Sequence, residues 1–380
     1  MKETILIFNG YYFPAQKYGG PATSIKNMVD ACGDKYNFCI IVCNHDFGEK
    51  KIFKEIKEGW NEVGNAKVLY VKDEEFTIKN IKKWIVETKA KAIYLAGIYS
   101  IRNFKYINAA NKYNVPIVVP PRGELNPNAI KRKGYKKIPF LFVLRTLGVY
   151  KNAYFHVTSN EEKKGVQKWL GIKREQIFLL PNLPATFVDA SLHKKNEKFK
   201  VVSISRICKT KNILYSIKVV NQLKRETEFD IYGPMEDSEY WNKCLEEIKK
   251  APEYIHIRYC GTLTSADVCP TFKKYDCFIF PTLTENYGHS IAESLMAGCP
   301  VVLSKGTTPW DDLNEVAGAT ISLNDEEAFA MSLENIAKLS KEEYEKLSEK
   351  CIEYVNKKTK YTKLKNQYMD LWEGIICQKD

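Results

Sequence analysis

Two carboxylates eight residues apart stand out in PTLTENYGHSIAESLMAGCPVVLS, residues 281–304. The segment reads as strand end, loop, helix, glycine turn and next strand, with Glu285 in the loop and Glu293 inside a helix starting near Gly288 or His289. The first turn of such a helix offers backbone N–H groups at Gly288, His289, Ser290 and Ile291 and a partial positive charge, a ready site for an anion such as a diphosphate. Gly288, without a Cβ, lets the anion come close to the backbone. With a phosphate seated there, Glu285 is placed to accept hydrogen bonds from sugar hydroxyls on one side and Glu293 from a ribose on the other. A plainer reading fits the same residues: Glu285 complements the helix dipole and Glu293 is a solvated helix residue.

Other chemistries lose ground. The chain has no G-x-G-x-x-G, no G-x-x-x-x-G-K-[ST], no G-x-S-x-G and no H-E-x-x-H, which disfavours a dinucleotide dehydrogenase, a P-loop ATPase and an α/β-hydrolase. Without a D-x-D, no carboxylate pair is offered for a metal-bound diphosphate, so a metal-free way of binding phosphate would be needed if phosphate is bound at all. A histidine at a helix start, such as His289, is read as a contact or capping residue, and His45, His156, His193 and His256 are given no catalytic part. The 11 cysteines are scattered without a C-x-x-C pair, which suggests neither a disulfide framework nor a zinc site and predicts a reduced, cytoplasmic protein. No stretch is apolar and long enough to span a bilayer, and the opening apolar run is too short for an export signal.

The elements that must position these residues are legible as alternating strands and helices. At 380 residues, two domains are expected. Short β-branched or aromatic runs predict strands at 5–8, 38–43, 67–71, 92–96, 116–120, 154–158 and 177–181, then at 200–205, 228–233, 255–260, 277–281, 300–304 and 319–323. Helical spacing between them predicts two doubly wound parallel sheets: a first domain over 1–184, a polar linker over 185–198 and a second domain over 199–359. Beyond 325 the pattern is wholly helical. Ligands of open α/β sheets bind at the carboxyl ends of strands, so function is sought in the loops there, facing a cleft between the two sheets.

The segment 281–304 resembles the E-x7-E signature of the retaining glycosyltransferases of family 4, whose GT-B fold has two Rossmann-like domains facing across a cleft. Tyr11, Tyr12, Phe13 and Pro14 with Gly19 and Gly20 are similar to that family's first-strand loop, SRICKTKN (205–212) resembles its R-x4-K clamp, and YGP (232–234) and Gly261 stand where it has turns. PRGELNPNAIKRKGYKK (121–137), TSNEE (158–162) and TPWDDL (308–313) resemble a bacterial branch that builds surface polysaccharides. The resemblance implies that Arg206 and Lys211 clamp the donor diphosphate without metal, where the plainer reading is a solvated loop. It implies that Glu285 positions the donor sugar, that Glu293 holds the ribose, and that backbone N–H groups from Tyr287 to Ile291 stabilise the leaving diphosphate. Gly19 and Gly20 would let a first-domain loop close over the phosphates, or form an ordinary turn. Retention is implied to proceed by front-face displacement without a protein nucleophile, the donor phosphate taking the acceptor proton. Arg122 stands where many members carry a histidine and is assigned to the donor-sugar or acceptor side, and Asp46 to the acceptor side. The helix over 360–380 is implied to cross back onto the first domain.

The net charge of +12 is unevenly placed: residues 1–190 hold 31 basic and 17 acidic side chains, and residues 191–380 hold 27 and 29. The excess concentrates in a basic patch over 122–145, beside the apolar run IPFLFVL (138–144). Such a surface suits anionic lipid headgroups and a polyprenyl-diphosphate-linked glycan, where the plainer reading is a core helix with a solvated basic face. No nucleic-acid module is visible. These readings add up to a metal-independent, retaining hexosyltransferase. It would have no resident cofactor, a nucleotide-sugar donor (UDP first, GDP second), and a place in the cytoplasm or on the inner membrane face. The alternatives are a nucleotide-sugar epimerase on the same fold and a non-catalytic protein that binds nucleotide sugar or lipid.

Overall fold

The structure, a computed structural model, describes residues 2–131, 134–186, 193–314 and 316–377. The chain forms two compact units, Met1–Leu183 with Tyr361–Asp380, and Pro184–Lys360. Arg132 and Lys133 of the basic patch, and 187–192 of the expected linker, lie outside the described residues.

In the first unit the apolar runs form β1 (Glu3–Phe8), β2 (Tyr36–Cys43), β3 (Trp60–Val63), β4 (Ala66–Val71), β5 (Ala90–Leu95), β6 (Ile117–Val119), β7 (Tyr154–Val157) and β8 (Ile177–Leu179). They pair in the order β3-β4-β2-β1-β5-β6-β7-β8, all parallel except β3 against β4. The seven expected strands are present. β3 is an addition that its sequence, WNEV, does not announce: an edge strand has one neighbour and stays largely open to water, so it carries no apolar run. Helices α1 (Gly20–Cys32), α2 (Ile78–Thr88), α3 (Arg102–Lys112), α4 (Pro127–Lys131), α5 (Gly134–Thr146) and α6 (Asn160–Leu170) connect the strands. Alternation along β1 sends Leu6 and Phe8 into one apolar layer and Ile5 and Ile7 into the other, the expected pattern for a sheet covered on both faces.

The second unit contains β9 (Phe199–Ile204), β10 (Thr227–Tyr232), β11 (Ile255–Tyr259), β12 (Cys277–Phe280), β13 (Val301–Ser304) and β14 (Gly318–Ile321), in the wholly parallel order β11-β10-β9-β12-β13-β14. Its helices are α7 (Ile213–Val220), α8 (Ser238–Ile248), α9 (Val268–Phe272), α10 (His289–Met296), α11 (Glu326–Lys338) and α12 (Lys341–Thr359). Residues 193–198, read from sequence as linker, instead belong to this unit. Lys195 Nζ donates to Ala337 O at 2.8 Å and Asn196 N to Asp276 Oδ1 at 2.8 Å, so their polarity serves carbonyl and carboxylate partners, not solvent.

The last helix, α13 (Tyr361–Cys377), returns to the first unit, where Leu364, Tyr368, Leu371, Trp372 and Ile375 are buried with Ile5 and Ile7. Tyr368 Oη donates to Pro181 O at 3.0 Å and meets His156 Nε2 at 3.1 Å, while His156 Nδ1 meets Tyr94 Oη at 2.9 Å. Among the described residues no helix is long and apolar enough to cross a membrane, and all eleven cysteines are free.

Candidate active site

Strand order reverses between β9 and β12, which are hydrogen-bonded neighbours with Phe278 opposite Val202. The loops after them therefore leave the sheet side by side at its switch point, the usual place for a ligand on such a sheet. After β9 the chain runs through Arg206 into a single 3-10 turn, Lys209–Lys211, and Asn212 in the left-handed region before α7. After β12 it runs through Glu285 to α10. The two loops are laced together: Thr282 Oγ1 and Leu283 N donate to Thr210 O at 3.1 and 2.9 Å, and Asn212 Nδ2 donates to Pro281 O at 3.1 Å.

That lacing brings Lys211 and Glu285 into an ion pair, with the Lys211 ammonium also 5.3 Å from the centre of the Phe280 ring. Glu285 is also held by the loop after β13, its N–H donating to Thr307 O at 2.8 Å, and by its own loop, its Oε1 accepting from Asn286 N at 3.1 Å. Partly desolvated ion pairs add little net stability, so the pair matters for what it presents: an ammonium and a carboxylate fixed side by side.

Gly288 caps α10 at φ 80° and ψ 63°, and a Cβ there would lie 2.7 Å from Ile291 Cδ1 and 3.3 Å from Glu285 Cγ. Backbone and space both require glycine. Ile291 N already donates to Gly288 O at 3.0 Å, closing the first turn, which removes Ile291 from the N–H groups expected to meet an anion and leaves His289 and Ser290 leading the helix. Glu293 is 7% exposed, so it is not the solvated helix residue of the plainer reading. Tyr287 has a buried hydroxyl with no partner among the described residues, and burial together with the charge of Glu293 raises its phenol well above the ordinary range. Trp310 is buried and its indole N–H donates to Tyr287 O at 2.5 Å, packing the loop after β13 against the loop after β12.

Arg206 and Lys211 do not share a partner. Arg206 Nη1 meets Glu236 Oε2 at 2.6 Å, in the loop after β10, a residue that no motif singles out. That loop is held against Arg206 because Gly233, at φ 140°, lets β10 end directly on Ser205: a Cβ would fall 1.8 Å from Ser205 O.

In the first unit Gly19, at φ 66°, caps α1, and Gly20 opens it. Arg122 and Gly123 are both left-handed, at φ 52° and 79°, and this turn carries the Arg122 guanidinium to Pro21 O, where Nη1 donates at 3.1 Å. Its Nε and Nη2 are buried without partners among the described residues, so the structure places Arg122 beside the Gly19–Gly20 loop with hydrogen-bonding capacity unspent there. Gly123 N donates to the fully buried Glu162, which also accepts from Thr158 N at 2.6 Å. Ser159, the side-chain cap of α6, three residues before Glu162, is the sequence signal that marks it. Asp46 faces the chain itself. Its carboxylate accepts from Gln16 N at 2.9 Å, Lys17 N at 3.3 Å and Phe47 N at 2.7 Å, so it holds the loop after β1 where an acceptor-side role was expected.

One group of side chains has the make-up of a metal site: Cys43, His45 and Asp73, with ligand atoms within 4.8 Å of one another. Arg102 already supplies the cation there, its Nη2 2.5 Å from Asp73 Oδ1 and its Nη1 3.4 Å from Cys43 Sγ. Burial pushes the Cys43 thiol up to about 11, which keeps it protonated.

Residues 186–358 match the family model of the glycosyl transferases group 1. The matched span lies within the second unit. The chain is 30% identical over 155 residues to poly(glycerol-phosphate) alpha-glucosyltransferase of Bacillus subtilis, an alignment that spans 40% of this chain and 22% of that protein. Sucrose-phosphate synthase of Thermosynechococcus elongatus superposes with a TM-score of 0.73 at 13% identity, over the whole of both chains. HepE of Anabaena, in complex with UDP and glucose, superposes with a TM-score of 0.73 at 13% identity, over 98% of this chain and all of that one. At such identities these likenesses establish the fold, which is GT-B. In the second unit, Lys211, Glu285 and Gly288 thus lie on the segments that leave the switch point, and Glu293 follows inside α10.

Proposed function

We propose that the chain is a retaining, metal-independent hexosyltransferase of family 4. It would take a sugar from a nucleotide donor, UDP before GDP, to a polyprenyl-diphosphate-linked glycan during synthesis of capsule, O-antigen or exopolysaccharide at the inner membrane face. The observation that carries this reading is the Lys211–Glu285 pair held at the amino end of α10, where Gly288 is required and Glu293 is buried one turn on. Lys211, the helix N-terminus and the nearby Arg206 supply positive charge for a leaving diphosphate, while Glu285 orients sugar hydroxyls and Glu293 a ribose. The relative named for alpha-glucosyl transfer and the fold neighbour holding UDP and glucose are in keeping with such a donor.

The test is a thermal-shift and nucleotide-release panel with UDP-, GDP- and ADP-sugars in the presence of chelator. One donor class should stabilise the protein, Arg206→Ala should weaken that shift by about tenfold in affinity, and Glu285→Gln should keep donor binding while cutting release by about a hundredfold or more. Stabilisation by no nucleotide sugar overturns the reading. Activity that disappears in chelator overturns metal independence, and interconversion of the donor sugar without acceptor would make the protein an epimerase.

A further inference from the structure

Helix α5 is apolar on both sides. Its inner side buries Leu141 and Leu144 in the first unit, with Phe140 partly buried beside them and Lys137 turned back to donate to Ala129 O at 2.6 Å. Its outer side carries Tyr135, Ile138, Phe142 and Val143, exposed by 74, 43, 68 and 47%, and Leu147 just beyond its end is exposed by 67%. At 3.6 residues per turn, Tyr135, Ile138, Pro139 and Phe142 fall within an arc of roughly 100° on the far side from the two buried leucines. A helix facing water on that side should be polar there, so the solvated basic face of the plainer reading is not what the fold presents.

The cations stand at the margins. Lys131, Lys136, Arg145 and Lys151 are exposed, and between Leu125 and Asn160 the chain has seven cations and no carboxylate. Arg145 is fixed by donating Nη1 to Lys168 O at 2.9 Å, at a groove of about 690 Å³ that also takes in Lys151 and Lys173.

We propose that this face of α5 docks on the anionic surface of a lipid bilayer, with Tyr135, Ile138 and Phe142 entering the interface and the flanking cations against headgroup phosphates. A second copy of the chain is the poorer occupant, because a two-fold contact would set the same cations against themselves. An anionic polymer is poorer too, since exposed Phe142 and Ile138 gain nothing from phosphates in water. The inference is independent of the donor chemistry of the second unit, and its test needs no turnover.

The experiment is co-sedimentation of the full chain with vesicles of phosphatidylcholine alone and of phosphatidylcholine mixed with phosphatidylglycerol, at low and high salt. The protein should favour the anionic vesicles by at least about tenfold and lose that preference in salt. Ile138→Ser combined with Phe142→Ser leaves every charge in place and should lower partitioning by at least about tenfold, with melting temperature unchanged. Lys131→Glu with Lys136→Glu should lower it as well. Failure to bind anionic vesicles at low salt overturns the proposal. So does undiminished binding by the serine variant, which would mean attraction by charge alone, as for an anionic polymer. A dimer in sedimentation velocity that the serine variant abolishes, without vesicle binding, would assign the face to a second copy.

Discussion

Glu124 accepts a hydrogen bond from Ile98 N at 2.6 Å and presses on Gly97, where a Cβ would lie 2.9 Å from its oxygens. Burial pushes its carboxyl up to about 7, so between its ordinary 4.5 and that value the folded chain holds more proton than the unfolded one. Stability therefore falls as pH rises through that window, by at most about 3 kcal/mol. His156 acts in the opposite sense: burial pushes its imidazole down to about 4, and its contribution is lost as pH falls below about 6.5. Only a comparison of variants separates the two. Glu124→Gln keeps an acceptor for Ile98 and should gain on the parent protein as pH rises from about 4.5 to about 7, then plateau. Melting curves across that range check it, and a pH-independent difference would falsify the shift. At this scale Glu285 and Glu293 were legible because their spacing brackets a helix start. Glu236 and Glu124 were not, because an ion pair or a latch across 30 or 26 residues leaves no local pattern.

Gly288 shows how an element sets the site. An alanine there must adopt a left-handed backbone, costing about 1–2 kcal/mol, and its methyl must displace Ile291 or Glu285. Gly288→Ala should lower the melting temperature modestly and weaken donor binding by about tenfold or more, measured by titration with whichever nucleotide sugar stabilises the parent protein. Equal donor affinity would show that the turn does not position Glu285. The strands around it were readable from short apolar runs between turn residues, since buried parallel strands have both faces covered. The edge strand β3 escaped because polarity is what edges need, and for α5 the sequence left an interfacial surface and a core helix both open because an apolar run tells nothing about which of its sides is covered.

Over the whole molecule, α13 completes a layer begun by β1. Trp372 is fully buried among Tyr94 and the β1 residues Ile5 and Ile7, at 5.8 Å between its ring and that of Tyr94. Trp372→Ala should cost about 3–5 kcal/mol. The loss should fall on the first unit: amide exchange should quicken in β1 and β5 and stay unchanged in β9 and β12. Equal quickening in both units would mean that the helix supports the molecule generally. The two-domain organisation was visible in the alternating pattern, but the boundary was misread at 193–198, where polar side chains serve hidden partners in the second unit.

The path of α13 also sets a timetable for synthesis. A ribosome makes every strand of the first unit within the opening 183 residues, yet the helix that covers Ile5 and Ile7 emerges only after the whole second unit. α1 covers part of that apolar face early, and the nascent first unit must wait with the share that belongs to α13 uncovered while the later unit is made and folds. Chaperone capture during translation should then be strongest over the middle of the message, and should end when Trp372 leaves the exit tunnel.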